Sequence, residues 1–289
     1  MKQDTSRITT IGVIGSGTMG SGIAQVAALA GFEVLLHDVA PPALAAGMER
    51  IKADLRKRTE KERTPATEAT EALARIRPRK AFNDLGSADF VIEAAVEDLE
   101  VKKEIFRKLD KIVGPDAVLA TNTSSLSITS IAALTKTPET VVGMHFFNPP
   151  PLMKLVEIVR GRQSSERTVS TARDLALRLH KIPIVCRDTP GFIVNRLARP
   201  FYDEALRLLE EGIASAQEID AIVRGSGGFR MGPFELMDLI GIDVNFAVSL
   251  SIFEQSFHEP RFRPHPIQRQ MVEAGVLGRK TGKGFYPYP

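Results

Sequence analysis

The 289 residues carry 38 Lys and Arg against 35 Asp and Glu, with 43% hydrophobic and 25% charged residues. This length exceeds one average domain and supports a large core, and the balanced composition excludes disordered and membrane-spanning classes. A net charge of +3 is too small for a nucleic-acid surface, and no Cys/His pairs stand at zinc-ligand spacing, so neither nucleic acid nor a metal is expected.

The opening MKQDTSRITT lacks the basic, apolar and small-residue order of a secretory leader, and no run of about 18 uncharged apolar residues follows. The chain is expected in the cytoplasm, with no membrane partner. From residue 1 to 189, short apolar runs alternate with helical patterns, which predicts an α/β, Rossmann-like, mostly parallel sheet. Strands are expected at Ile8 to Ile14, Val34 to Asp38, Asp89 to Glu93, Ala117 to Thr121, Val141 to His145, Leu155 to Val159 and Ile182 to Val185. A helical hairpin is expected near residues 45–77. After Thr189-Pro190-Gly191 the strand signals stop and apolar spacings of three and four take over, so residues 190–289 are expected as an all-helical C-terminal domain. The single Cys186, in IPIVCRD, can form no intramolecular disulfide and reads as a space-filling thiol.

The motif GSGTMG, from Gly15 to Gly20, directly follows the strand ITTIGVI and directly precedes SGIAQVAALAG. Gly15 suits a tight turn, Gly17 a close approach of backbone to a pyrophosphate, and Gly20 close helix–strand packing, with Thr18 and Met19 opening the helix at the phosphates. Asp38 stands 18 residues past Gly20, at the end of the next strand, where a carboxylate accepts hydrogen bonds from an adenosine ribose. The same carboxylate would repel a 2′-phosphate, and no Arg or Lys immediately follows it, so NAD is expected as cofactor. Asn122 and Thr123 leave the strand AVLAT at the carboxyl edge, where loops contact cofactors and also simply turn.

Taking a hydride from a hydroxyl carbon leaves a proton to remove, and histidine is the usual base. His37 neighbours the cofactor carboxylate, His180 ends a helix, and His258 and His265 lie in a Pro-rich turn region. His145 closes the strand before FFNPPP, at the carboxyl end where open α/β sheets bind ligands. Glu157 lies inside the apolar strand LVEIV and needs a partner if buried. Bonded to the far nitrogen of His145, it would fix the tautomer and stabilise the protonated ring.

The segments TNTSSLSITSIA, GMHFFNPPPLMKLVEIV, DTPGFIVNR, MGPFELMDLIG and GRKTGKGFY resemble, in order and over nearly the whole chain, the motifs of 3-hydroxyacyl-CoA dehydrogenases. The resemblance implies that His145 is the general base and that Glu157 orients it. It implies that Ser124 and Asn195 contact the substrate's oxygen functions, that Asn148 lies near the catalytic His, and that Glu97 and Lys102 lie near the nicotinamide ribose. It further implies an L-3-hydroxyacyl-CoA thioester as substrate and a homodimer formed through the C-terminal helices. Taken alone, Ser124 and Ser125 read as helix N-caps and Asn195 as an exposed helix residue.

Coenzyme A carries a 3′-phosphate and a pyrophosphate, which call for Lys and Arg. Residues 50–63, RIKADLRKRTEKER, hold seven basic against three acidic residues; Lys52 and Arg56 share a helix face and are the candidates, beside the alternative of a solvated charged face. The hairpin departs from the family pattern, with Thr-Pro where many relatives turn with Gly. A short acyl chain such as 3-hydroxybutyryl is expected. The segment GGFRMGPFELMDLIGIDVNFAV also resembles relatives acting on 3-hydroxyadipyl-CoA, with Arg230 either meeting a distal carboxylate or lying at the surface. A hydroxy-acid or sugar-acid dehydrogenase sharing the fold, and a non-catalytic dinucleotide-binding protein, are the competing classes.

Overall fold

The computed structural model describes residues 8–289, so the opening residues on which the absence of a leader was read lie outside it. The chain divides into two compact units, one ending at Thr189 and the other running Pro190–Pro289. Among the described residues, no single helix is long and apolar enough to cross a membrane.

The first unit opens with β1 (Thr10–Ile14), α1 (Thr18–Leu29) and β2 (Glu33–His37), continues through α2 (Pro41–Glu60) and α3 (Ala66–Arg75), and then reaches β3 (Ile76–Arg79) and β4 (Phe90–Glu93). It is completed by α4 (Leu99–Ile112), β5 (Val118–Thr121), α5 (Ile128–Ala132), β6 (Val141–Phe146), β7 (Leu155–Arg160), α6 (Glu166–Arg178) and β8 (Ile182–Arg187). The strands form one sheet in the order β3-β2-β1-β4-β5-β6-β7-β8. All pairings are parallel except that of β6 with β7. Continuous apolar runs in β1, β4, β5 and β6 are buried on both faces, as crossover helices on a parallel sheet require. The order reverses between β1 and β4, which puts a ligand crevice at the carboxyl ends of those strands.

One strand was not anticipated. β3 reads Ile-Arg-Pro-Arg and carries little apolar signal, because an edge strand tolerates Pro and turns charge to solvent. The helical hairpin turns without glycine: Glu62 takes the left-handed conformation at φ 54, Arg63 N–H donates to Arg58 O, and Arg58 Nε donates to the buried Thr64 hydroxyl.

The second unit is helical, with α7 (Val194–Glu210), α8 (Ala216–Gly227), α9 (Pro233–Ile240), α10 (Ile242–Gln255) and α11 (Pro266–Glu273). Tyr202, Leu206, Ile219, Phe234, Met237 and Ile242 form its apolar core. Two buried carboxylates tie its turns together: Asp220 accepts from the N–H groups of Phe234 and Glu235 and from the Tyr286 hydroxyl, and Asp238 from Phe285 N–H, Tyr286 N–H and the Tyr288 hydroxyl.

Candidate active site

The glycine loop shows three separate reasons for its glycines. Gly15 has φ +88, and a Cβ there would stand 2.5 Å from Ala94 O; at Gly20 a Cβ would stand 1.8 Å from Gly15 O. Gly17, by contrast, has nothing within 4 Å of a built Cβ, so the loop faces open space where a ligand backbone can approach. Gly17 is also the N-cap of α1 and offers no side-chain cap, which leaves the first-turn N–H groups, including those of Thr18 and Met19, without a side-chain acceptor. Helix dipole and N–H groups together favour negative charge there.

Asp38 directly follows β2, beside this loop. Its Oδ2 accepts from Ser16 N–H and from the Ser16 hydroxyl, each at 2.8 Å, and its Oδ1 accepts from Ala40 N–H at 3.0 Å. Burial pushes the carboxyl pKa up, but the bonds from Ala40 and Ser16 outweigh it and hold the group below the ordinary carboxylate value. Asp38 is therefore a pre-aimed anion, suited to a ribose and hostile to a phosphate. Ser16, fully buried, is a site residue that the fingerprint alone did not single out, since its position between two glycines is variable by rule.

At the ends of β4 and β5 a second cluster forms. Glu93 is fully buried, its Oε1 accepting from Lys102 Nζ at 2.7 Å and from Ala95 N–H at 2.6 Å, its Oε2 from the Thr121 hydroxyl at 2.7 Å. Lys102 reaches Glu97 as well, at 3.5 Å. Glu97 in turn accepts from the Thr123 hydroxyl at 2.5 Å and from Ser124 N–H at 2.8 Å. Glu97 thus joins Lys102 to Ser124, and Lys102 is anchored by Glu93, which sequence reasoning missed although an acid closing an apolar strand was its visible signal. Asn122 spends its Oδ1 on Phe146 N–H at 2.8 Å, tying the end of β5 to β6. The N-cap reading of Ser124 and Ser125 is corrected: α5 is capped by Ser127, whose side chain accepts from Ser130 N–H.

His145 and Glu157 face each other directly across the antiparallel pair β6 and β7. Opposite positions on such a pair bring side chains within reach, and the Nδ1 to Oε2 distance is 2.7 Å. Both groups are buried, at 5% and 1% exposure, so water screens the interaction little. With Nδ1 engaged by the carboxylate, the orientation of the imidazole ring is fixed. The Phe147 ring packs on the imidazole at 4.5 Å between centroids, and the exposed Asn148 follows it in a loop that starts with a cis Asn148–Pro149 bond.

On α2, Lys52 pairs with Glu49 at 2.7 Å and Arg56 with Glu60 at 3.8 Å, all four side chains largely exposed. Asn195 is half-buried at the start of α7, and its carbonyl accepts from Arg199 Nε. Arg230 is exposed in the turn between α8 and α9. Cys186 is half-buried in β8, and burial, with Glu157 and Asp188 nearby, pushes its thiol up to about 12, far from a reactive thiolate.

Two family models match this chain: the 3-hydroxyacyl-CoA dehydrogenase NAD binding domain over residues 10–189, and the C-terminal domain of the same family over residues 191–288. A 3-hydroxyadipyl-CoA dehydrogenase of Escherichia coli is 49% identical over 97% of this chain, which spans 59% of that relative. A 3-hydroxybutyryl-CoA dehydrogenase of Bradyrhizobium diazoefficiens is 43% identical, with 97% of this chain and 96% of the relative covered. Among solved structures, (S)-3-hydroxybutyryl-CoA dehydrogenase from Ralstonia eutropha superimposes with a TM-score of 0.93 at 42% identity, covering 98% of this chain and 99% of the other. With matches that run through both units, the chain belongs to the 3-hydroxyacyl-CoA dehydrogenase family, oxidoreductases whose first domain binds NAD.

Proposed function

We propose that this protein interconverts a short-chain L-3-hydroxyacyl-CoA and the corresponding 3-oxoacyl-CoA, with His145 as general base and acid. The observation that carries the reading is the buried 2.7 Å contact of His145 with Glu157, at the carboxyl edge of the sheet that also bears the glycine loop. NAD, held by Gly15, Gly17, Gly20 and Asp38, supplies the acceptor for the hydride from C3. His145 Nε2 takes the hydroxyl proton in oxidation and returns it in reduction, and Glu157 stabilises the imidazolium formed in between. Ser124, Asn148 and Asn195 hold the oxygen functions of the substrate, while Glu97 and Lys102 serve the nicotinamide ribose. Lys52 and Arg56 are the candidates for the phosphates of coenzyme A.

The test is NADH oxidation with acetoacetyl-CoA, beside free acetoacetate and NADPH, in wild type and His145→Ala. Turnover is expected only with the thioester, with NADH preferred, and the variant is expected to lose roughly 10²–10⁴-fold. Reduction of free acetoacetate at an equal rate would select a hydroxy-acid dehydrogenase, and tight NADH binding without turnover of any thioester would sink the assignment.

A second reading, a dicarboxylyl thioester such as 3-hydroxyadipyl-CoA, is supported by the name of the 49% identical relative. A preference for 3-oxoadipyl-CoA that Arg230→Ala removes would select it. A homodimer through the second unit is also proposed, because that unit exposes Leu197, Ile213, Ile222, Phe229 and Phe257 by 71, 67, 63, 56 and 94% respectively. Light scattering at the mass of one chain would dismiss it.

A further inference from the structure

Lys181 is the one described lysine besides Lys102 that the fold buries, at 8% exposure, and no carboxylate of the described residues lies within ion-pair distance of it. It is delivered there by the end of α6, where His180 adopts φ 56 and Lys181 N–H closes back on Ala176 O. Its Nζ donates to two backbone carbonyls of the loop that follows His145, to Pro150 O at 2.6 Å and to Met153 O at 2.9 Å. A buried ammonium satisfied only by neutral carbonyls is a costly arrangement, and it is the carbonyls of one particular loop that it holds.

That loop is pinned at three points. Phe147 rests on the His145 ring; Pro150 packs against α1 so closely that a Cβ on Gly22 would stand 2.9 Å from its Cδ; and Lys181 grips the far end. The same loop also ties itself, Leu152 and Met153 N–H both donating to Pro149 O. We propose that Lys181 is a positioning residue for the dehydrogenase reaction, a proton-dependent tether that keeps the Phe147–Met153 loop, and with it Asn148, set against His145. The proposal rests on the reading of His145 as the base.

The charged groups that face Lys181 are Lys154, ahead of β7, and Arg58 on α2, both cationic. Burial first, then these two like charges, lower its pKa to about 8. Loss of the proton turns two charge-assisted hydrogen bonds into neutral ones, roughly half as strong. The tether is therefore tight below that pH and slack above it.

The measurement is the pH profile of kcat for NAD-dependent oxidation of the hydroxyacyl thioester, the direction in which a neutral His145 is needed and higher pH alone would not slow the base. Wild type is expected to lose roughly five- to tenfold in kcat on passing from about pH 7.5 to pH 9.5. In Lys181→Arg, whose guanidinium stays charged, that alkaline fall should disappear. In Lys181→Met, kcat should be low and flat across the range, with NADH affinity by fluorescence titration unchanged. An alkaline fall at the same pH in Lys181→Arg, or a Lys181→Met profile that superimposes on wild type, overturns the proposal. Hydrogen exchange of residues 147–154 in the wild type, corrected for intrinsic pH dependence, needs neither variant nor turnover. Protection should drop above about pH 8, and constant protection overturns the tether even if the thioester chemistry stands.

Discussion

Two sets of side-chain pairs in the first unit, each with a Glu as one partner, work to opposite effect. On α2, Lys52–Glu49 and Arg56–Glu60 join neighbours on an exposed helix face, while at the carboxyl edge of the sheet Lys102–Glu93 and His145–Glu157 join residues of different elements inside the protein. The surface pairs are set by helical spacing and screened by water, so they hold little energy. The buried pairs are set by strand register and helix placement; neither partner can be solvated if the other is lost. Position in the fold, rather than the chemistry of the side chains, separates a buried pair from a solvated one.

The comparison breaks most visibly at Glu93. Glu93→Gln leaves the buried Lys102 ammonium with only Glu97, at 3.5 Å, as counter-charge, and should destabilise the protein by roughly 3 kcal/mol, the low end for half of a buried pair. Thermal unfolding should move down by several degrees, and an unchanged melting point would show that Glu97 or water replaces the partner.

Glu157→Gln should leave stability closer to wild type, because the amide oxygen still accepts from Nδ1, but the imidazolium loses its counter-charge. A fall in kcat of roughly 100-fold is expected. Equal kcat would mean that the contact only orders the strands.

The smallest effect belongs to α2. Lys52→Ala with Arg56→Ala should change stability by less than about 1 kcal/mol. If these residues meet the coenzyme A phosphates, KM for the thioester should rise a few-fold at low salt and converge with wild type at high salt. A KM unaffected at every ionic strength would return both residues to the solvated face.

Much of the first unit was legible in advance because its signals are local. Seven strands announced themselves as apolar runs, and the glycine fingerprint lies within six consecutive residues. The eighth, β3, is an edge strand whose Arg-Pro-Arg reads as turn, and only its pairing with β2 makes it a strand. The contact of His145 with Glu157 was also within reach of reasoning, since a buried acid in an apolar strand demands a partner. Glu93 escaped because its partners, Lys102 and Thr121, come from two other elements.

The amino-acid sequence by itself determined the family, the glycine loop after β1 with the acid that follows β2, and the change from α/β to helical character near residue 189, because each depends on residue type and short spacing. Only tertiary structure decided that Asn122 spends its oxygen on Phe146 N–H, that Ser127 rather than Ser124 caps α5, and that Lys181 is buried on the loop beyond His145. Those outcomes follow from which strand lies beside which and from the exclusion of water. A polar side chain taken out of solvent must accept whatever partner the fold brings within about 3 Å, and no local pattern records that distance.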